Sequence, residues 1–482
     1  MTHLGDARVA DNDPFFKTAT ELGRELRARK ISSVDLTKSF LDRLNRLGPT
    51  YNALAELTPD LALAQARRAD RRLRSRDRRS PLLGVPYGAK DLLATKGIPT
   101  RWGSPAHRDQ VLDHDATVVR RLADAGAVLV GKLAMVELAG GGGYEYATAS
   151  LHGPGLNPWN VGHWAGGSSS GSGSAVAAGL VPYALGSETW GSIVTPSAYC
   201  GVTGLRPTWG LVSRYGAMEL SWSMDKVGPM GRSVEDCGWV LQVIAGADGH
   251  DVTATRPGFA FNPRAARKNL RLGILPADFS DAPELEAAFD EAVRVLRRSG
   301  MRVARAQMPD HPYVETAMTL LNGEMAAAHA ELIKSDRLDA LVDAGQKNGL
   351  RESVKLAASD YVRAQQRRLV ITRDVLRLFE TFDALLSPSL MNESLTLETN
   401  IKTTPRKRGN YSVLGALSGI PALGLPMGFG RQGLPLSLAV TGNLFDESTI
   451  LQVGMTFQRE TDWHTRRPPA ATAAESRRRN GP

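Results

Sequence analysis

A nine-residue run, Gly166-Gly167-Ser168-Ser169-Ser170-Gly171-Ser172-Gly173-Ser174, passes without a break into the apolar stretch Ala175 to Leu180. No other segment narrows the choice of fold as much. A flexible linker is excluded, because an apolar helix follows at once. Small residues let the backbone approach a ligand closely, and a helix behind them presents N–H groups toward it. A phosphate loop shares this texture, but it closes on Gly-Lys-Ser/Thr, and that closure is missing.

Two further segments carry chemistry. The first is Gly186-Ser187-Glu188-Thr189-Trp190-Gly191-Ser192-Ile193-Val194-Thr195-Pro196. Ser192 follows a small-residue turn whose consecutive backbone N–H groups could form an oxyanion hole. A serine needs a base to act as a nucleophile. Nine histidines make a Ser-His-Asp triad conceivable, yet no Gly-x-Ser-x-Gly elbow surrounds Ser192. The second is Gly84-Val85-Pro86-Tyr87-Gly88-Ala89-Lys90-Asp91, which sets a lysine in an apolar, glycine-rich stretch. Desolvation lowers a lysine's pKa, so such a group can be neutral and basic. Each segment alone is structural more often than catalytic.

The surroundings read as an α/β chain. Ser32 caps a helix with Asp35 at its third position, as in a capping box, and Phe40, Leu41, Leu44 and Leu47 follow at helical spacing. Gly48-Pro49 ends that run, and the Arg-rich stretch to Arg79 reads as an exposed helical face. From Leu83, short apolar runs such as Ala127 to Val130 alternate with helical patterns such as Ala116 to Ala125, which predicts a central sheet covered by helices on both faces. Residues 283–380 read as helical, with Leu369 to Phe382 the clearest amphipathic piece, and Gly419-Ile420-Pro421 and Gly433-Leu434-Pro435 punctuate a strand-rich end.

Charge does not point to nucleic acid. The net +9 is concentrated in residues 67–79, at +6, and in 466–482, at +4, which leaves the remaining chain near neutral. Two cysteines, Cys200 and Cys237, make no disulfide framework and read as buried thiols, and no Cys/His cluster suggests a metal. Neither a signal peptide nor an apolar run of about 18 residues is present, so a cytoplasmic protein without a membrane span is expected.

Taken together and in order, the three segments resemble the amidase signature family. Asn157-Pro158-Trp159-Asn160, Gly201 to Thr208 and Asp225-Lys226-Val227-Gly228-Pro229-Met230 also fit, and the resemblance runs from about Leu22 to Arg466-Arg467-Pro468. It implies one large α/β/α domain with a central mixed sheet over 1–465. Helices at 15–80 would precede a signature core of about 81–260 and a helical and strand-rich remainder of 261–465, with 466–482 a disordered basic tail. It also implies a Ser–cis-Ser–Lys triad. The family nucleophile falls on Ser192, the bridging serine, preceded by a cis peptide, on Ser168, and the lysine on Lys90. The oxyanion donors fall on the N–H groups of Thr189, Trp190, Gly191 and Ser192, and the Ala139-Gly140 loop lines the scissile group. Ser170 and Ser172 read as structural, with a helping role in catalysis as the alternative. No metal or organic cofactor is implied.

The chain departs from the family run at three positions: Glu188 replaces Asp, Trp190 replaces Gly and Val194 replaces Arg. The loss of Arg at 194 would remove a charge pair for the carboxylate at 188. Trp190 either packs into space left by the change at Val194 or walls the substrate pocket. The usual Gln after Gly433-Leu434-Pro435 is absent at Ala439. The expected function is a stand-alone amidohydrolase of small amides, extending to aryl amides, carbamates or esters, with homodimer formation left open. The alternatives are the glutamine-amidase component of a tRNA-dependent amidotransferase and a non-catalytic scaffold on the same fold.

Overall fold

The computed structural model describes residues 13–75, 80–265, 269–404 and 409–469. Ser32 caps the helix Ser33–Leu47 as the sequence predicts, its hydroxyl accepting the Asp35 N–H at 3.0 Å. The box is half formed. The Asp35 carboxylate takes the Ser32 hydroxyl instead of the Ser32 backbone N–H, because aspartate is one methylene shorter than the usual glutamate. A complete box, which the sequence reading missed, stands one helix earlier at Thr18 and Glu21. The Arg-rich run ends the helix Pro59–Arg74, with Arg67, Arg68, Arg71 and Arg74 exposed and Ala62, Ala66, Ala69 and Leu73 buried. Residues 76–79 of that run lie outside the described residues.

Among the described residues the strands in chain order are β1 (Leu54–Leu57), β2 (Pro86–Lys90), β3 (Val128–Leu133), β4 (Leu156–Asn157), β5 (Asn160–Trp164), β6 (Tyr183–Glu188), β7 (Thr203–Arg206), β8 (Lys226–Gly231), β9 (Arg271–Ile274), β10 (Arg302–Arg305), β11 (Ala384–Pro388), β12 (Ala422–Phe429) and β13 (Pro435–Gly442). Eleven form one sheet in the order β1-β3-β2-β6-β8-β7-β12-β13-β11-β9-β10, while β4 and β5 pair separately. β2 is parallel to β3 and β6, and β9 to β10 and β11; the other neighbours are antiparallel, so the sheet is mixed.

Alternation along the strands builds a core on each face. Leu129 packs with Tyr183 and Leu185 against the helices Ala19–Arg27, Thr117–Ala125 and Val234–Ile244. Val128, Val130 and Ala184 point the other way, onto Leu44, Ala62, Ala66 and the helix Ser170–Ala177. The fold is therefore the expected α/β sheet with helices on both faces.

Two readings need adjustment. Residues 283–380 are not helical throughout, because β10 pairs with β9 inside that stretch. β10 is a short edge strand whose Arg302 and Arg305 are exposed, and edge charges of this kind mask a strand's apolar period. The basic end is anchored at its start: Arg466 pairs with Asp462 at 2.8 Å, and Arg467 lies 3.6 Å from Asp13 and over the Phe16 ring. Residues 470–482 lie outside the described residues. Among the described residues no helix is long and apolar enough to cross a membrane.

Candidate active site

β2 and β6 run parallel as neighbours, so their carboxyl ends open on one edge of the sheet, where open α/β sheets hold ligands. Lys90 is the last residue of β2, and the turn carrying Ser192 joins β6 to the helix Val194–Cys200. Ser168 lies in the loop between β5 and the helix Ser170–Ala177. A Cβ on Gly171 would stand 2.5 Å from the Ala53 carbonyl oxygen and 2.6 Å from the Ala134 backbone. Glycine there lets the helix press onto the strand ends and bring the serine loop over Lys90.

The loop and the lysine meet. Lys90 Nζ lies 2.7 Å from Ser168 Oγ, 3.0 Å from Ser187 Oγ and 3.4 Å from the Ser187 carbonyl oxygen. The Gly167–Ser168 peptide is cis, as the resemblance implied. Ser187, which the sequence reading did not single out, is thus a direct partner of the lysine. Burial brings the Lys90 ammonium down to about 7, against the opposing pull of the Asp225 and Glu188 carboxylates. The Ser169 N–H donates to the Ser192 carbonyl at 3.3 Å and fixes the two serine turns against each other. Among the described residues no hydrogen bond joins the Ser168 and Ser192 hydroxyls. Ser172 is committed elsewhere, donating to the Leu185 carbonyl at 3.0 Å.

The Ser192 turn is held from inside by Glu188. One carboxylate oxygen accepts the N–H groups of Ile193 and Val194 at 2.8 and 3.0 Å, and the other accepts Arg206 at 2.8 Å. The expected loss of a charge pair does not occur, because Arg206 on β7 supplies the cation that Val194 does not. Burial pushes the Glu188 carboxyl up, but the charges of Arg206 and Lys226 and the hydrogen bonds from Arg206 and Val194 together hold it below the usual carboxylate range. Gly191 adopts φ +90°, a left-handed conformation that favours glycine. Among the described residues the N–H groups of Gly191 and Ser192 donate to no protein acceptor.

A second lysine stands behind this turn. Lys226 Nζ donates to the carbonyls of Thr189, at 3.3 Å, and Gly415, at 3.2 Å. Burial and the Arg206 guanidinium bring it down to about 7. Next to it, Asp225 accepts the Thr189 hydroxyl on one oxygen and the N–H groups of Leu220 and Ser221, at 2.8 and 2.9 Å, on the other. The sequence carried both residues only as part of a motif.

A cavity of about 220 Å³ adjoins the turn, with Ala139, Ser187, Thr189, Glu219, Trp222 and Lys226 in its wall. Ser192 is not part of the wall. Leu138, Ala139 and Gly140 all have left-handed φ, at +45°, +55° and +91°. For the first two, this conformation costs roughly 1–2 kcal/mol each. Buried Glu137 braces them, taking the Ser104 hydroxyl and the Val342 N–H while its own carbonyl accepts Gln346. Gly140 and Trp190 are not in the cavity wall. The Trp190 side chain is half-buried against the cluster containing Val413, Leu414 and Leu417.

Comparison with known proteins agrees with this geometry. The family model described as Amidase matches residues 35–451. The chain is 37% identical to the first of the glutamyl-tRNA(Gln) amidotransferase subunits, the one designated by the letter A, from Roseiflexus castenholzii, over 94% of this chain and 98% of the relative. The protein of the same name from Methylococcus capsulatus matches with the same identity and coverage. Among solved structures, the peptide amidase of Stenotrophomonas maltophilia superposes with a TM-score of 0.85 at 32% identity, covering 94% of this chain and 98% of that one.

Proposed function

The chain belongs to the amidase signature family, and we propose that it cleaves a carbon–nitrogen acyl bond through an acyl-enzyme on Ser192, relayed by Ser168 to Lys90. The observation that carries this reading is the 2.7 Å approach of fully buried Lys90 to Ser168. A neutral amine has two N–H donors and one lone pair. The two Ser187 oxygens take the donors, and the lone pair is left for the Ser168 hydroxyl proton. Ser168 then draws the Ser192 proton as Ser192 attacks the carbonyl carbon. The acyl oxygen gains negative charge facing the open N–H groups of Gly191 and Ser192, with Thr189 and Trp190 completing the turn. The proton returns through Ser168 to the leaving nitrogen, and the C–N bond breaks. Water attacks the ester, giving its proton to the same relay, and Ser192 is regenerated.

Two substrate readings share this chemistry. The relatives favour the amidotransferase reading over a stand-alone amidase. In that case the amide is glutamine's, and the ammonia passes to a partner acting on misacylated tRNA. One observation favours the stand-alone reading, with a small amide substrate and a cytoplasmic setting. A glutamine α-carboxylate would need a cation; on the cavity wall Arg214 already gives its guanidinium to Asp251, Thr253 and the Trp222 carbonyl, and buried Lys226 already donates to the carbonyls of Thr189 and Gly415. Glutaminase assays with and without a partner, run beside anilides, primary amides, carbamates and esters, separate the two. For either reading, Ser192→Ala should abolish turnover and phosphonate labelling while leaving the fold intact. Retention of more than about a few per cent of activity would remove Ser192 from the mechanism.

A further inference from the structure

Lys226 is buried, it is not one of the residues assigned to the relay, and among the described residues both its hydrogen bonds go to backbone carbonyls. One of these carbonyls belongs to the peptide between Thr189 and Trp190. In a planar trans peptide the N–H points opposite to the C=O. Whatever holds the Thr189 carbonyl therefore also fixes the direction of the Trp190 N–H at the head of the oxyanion turn. Lys226 is well placed to do this, because antiparallel β8 sets it directly opposite Glu188, the residue before Thr189. Its second bond reaches Gly415 on the helix Ser412–Ser418, so the side chain is a strut between that helix and the turn. Asp225 restrains the same residue from its side chain, through the Thr189 hydroxyl.

We propose that Lys226 is a positioning residue for the oxyanion turn, holding the Thr189–Trp190 peptide so that its N–H edge lies on the same side as the donors of Gly191 and Ser192. The proposal rests on the acyl-enzyme reading above. It assigns Lys226 no contact with substrate and no proton transfer. A donor so held matters in the transition state, when charge reaches the acyl oxygen, and little in the ground state. Loss of Lys226 should therefore lower kcat and leave KM unchanged.

The test compares Lys226→Met, which keeps length and loses the donors, with Lys226→Gln, which keeps a donor without the charge. Both are assayed on one amide substrate of the wild-type protein and against a trifluoromethyl ketone of the same acyl group. Deleting one oxyanion donor costs about 10²–10³ in kcat, and a donor that is misaimed and not deleted should cost less, about 10- to 100-fold. Lys226→Met should show that kcat loss with KM within about twofold, and should weaken ketone binding by a comparable factor. Lys226→Gln should recover most of both. A folded Lys226→Met with kcat within about threefold of wild type overturns the proposal, as does a KM that rises in step with the fall in kcat. So does a Gln variant no better than Met. Should the Met variant not fold, Lys226→Leu, which also lacks the donors, takes its place and is read by the same criteria. Ser192→Ala is the control. If it keeps turnover, the acyl-enzyme reading fails; if it is inert while both Lys226 variants match wild type, only the Lys226 role fails.

Discussion

The pair Glu188–Arg206 offers a quantitative test of how the Ser192 turn is held. Both side chains are essentially inaccessible, at 0% and 1% exposure, and their closest atoms are 2.8 Å apart. Arg206 also donates to the carbonyls of Ser412 and Ile420 at 3.2 and 3.1 Å, and its guanidinium fills the space that a Cβ on Gly415 would need. Arg206→Met removes the paired cation and leaves Glu188 buried with the Ile193 and Val194 N–H groups and the more distant charge of Lys226. Breaking a buried pair from one side costs about 3–5 kcal/mol.

The loss should depend on pH. In the wild type the Glu188 carboxyl is held low, so its contribution is present above the unfolded carboxylate value and fades as pH falls through the lower folded value. Without Arg206, burial dominates and the folded value rises above the unfolded one. The mutant then loses further stability as pH climbs from about 4.3 to the new value, at about 1.4 kcal/mol per unit. Urea unfolding at pH 5 and pH 8 should therefore show a larger deficit at pH 8. Adding Glu188→Gln should flatten the difference by removing the buried charge. A deficit under about 1 kcal/mol at pH 8, or an equal deficit at both values, would refute the reasoning.

Lys90→Ala should depress kcat/KM for amides more than for matched activated esters, because an amine leaves poorly unless protonated; an unchanged amide-to-ester ratio would remove Lys90 from leaving-group protonation. Wild-type activity should rise with pH through about 7 as Lys90 sheds its proton, and a pH–rate profile should show that limb missing in Lys90→Ala. Trp190→Gly should lower stability by about 1.5–2.5 kcal/mol, half the cost of truncating a fully buried aromatic, since the indole is half-buried. The ranking of a graded acyl series should stay as it was, and a reversal in favour of bulky acyl groups would return Trp190 to the pocket wall.

How much of the site could be read in advance depended on the kind of signal. Short ordered motifs with special backbone needs were legible as segments: the Gly166–Ser174 run, the Gly191-Ser192 turn and Lys90 in its apolar strand stood out, and their order carried the family resemblance that joined them. Partners held by long-range packing were not. Arg206 lies in a segment recognised only for its resemblance, and nothing in a linear pattern says that it reaches Glu188 from β7. Ser187 is one more small residue in a small-residue run. The Trp190 side chain could have turned to either side, and only the cluster at Val413, Leu414 and Leu417 gave it a seat.

The sequence by itself determined the sheet-and-helix class, through apolar runs alternating with helical spacing, and the family, through three segments in a fixed order. The tertiary structure decided which charge answers which. Electrostatic and hydrogen-bond partners are chosen by proximity within about 3 Å, and that proximity arises where distant strands meet in the sheet. Glu188 found Arg206, Thr189 found Asp225 and Lys226, and Lys90 found Ser187 because β6 lies between β2 and β8, with β7 one strand further on. That order is set by packing the whole chain and is not written in any one of its segments.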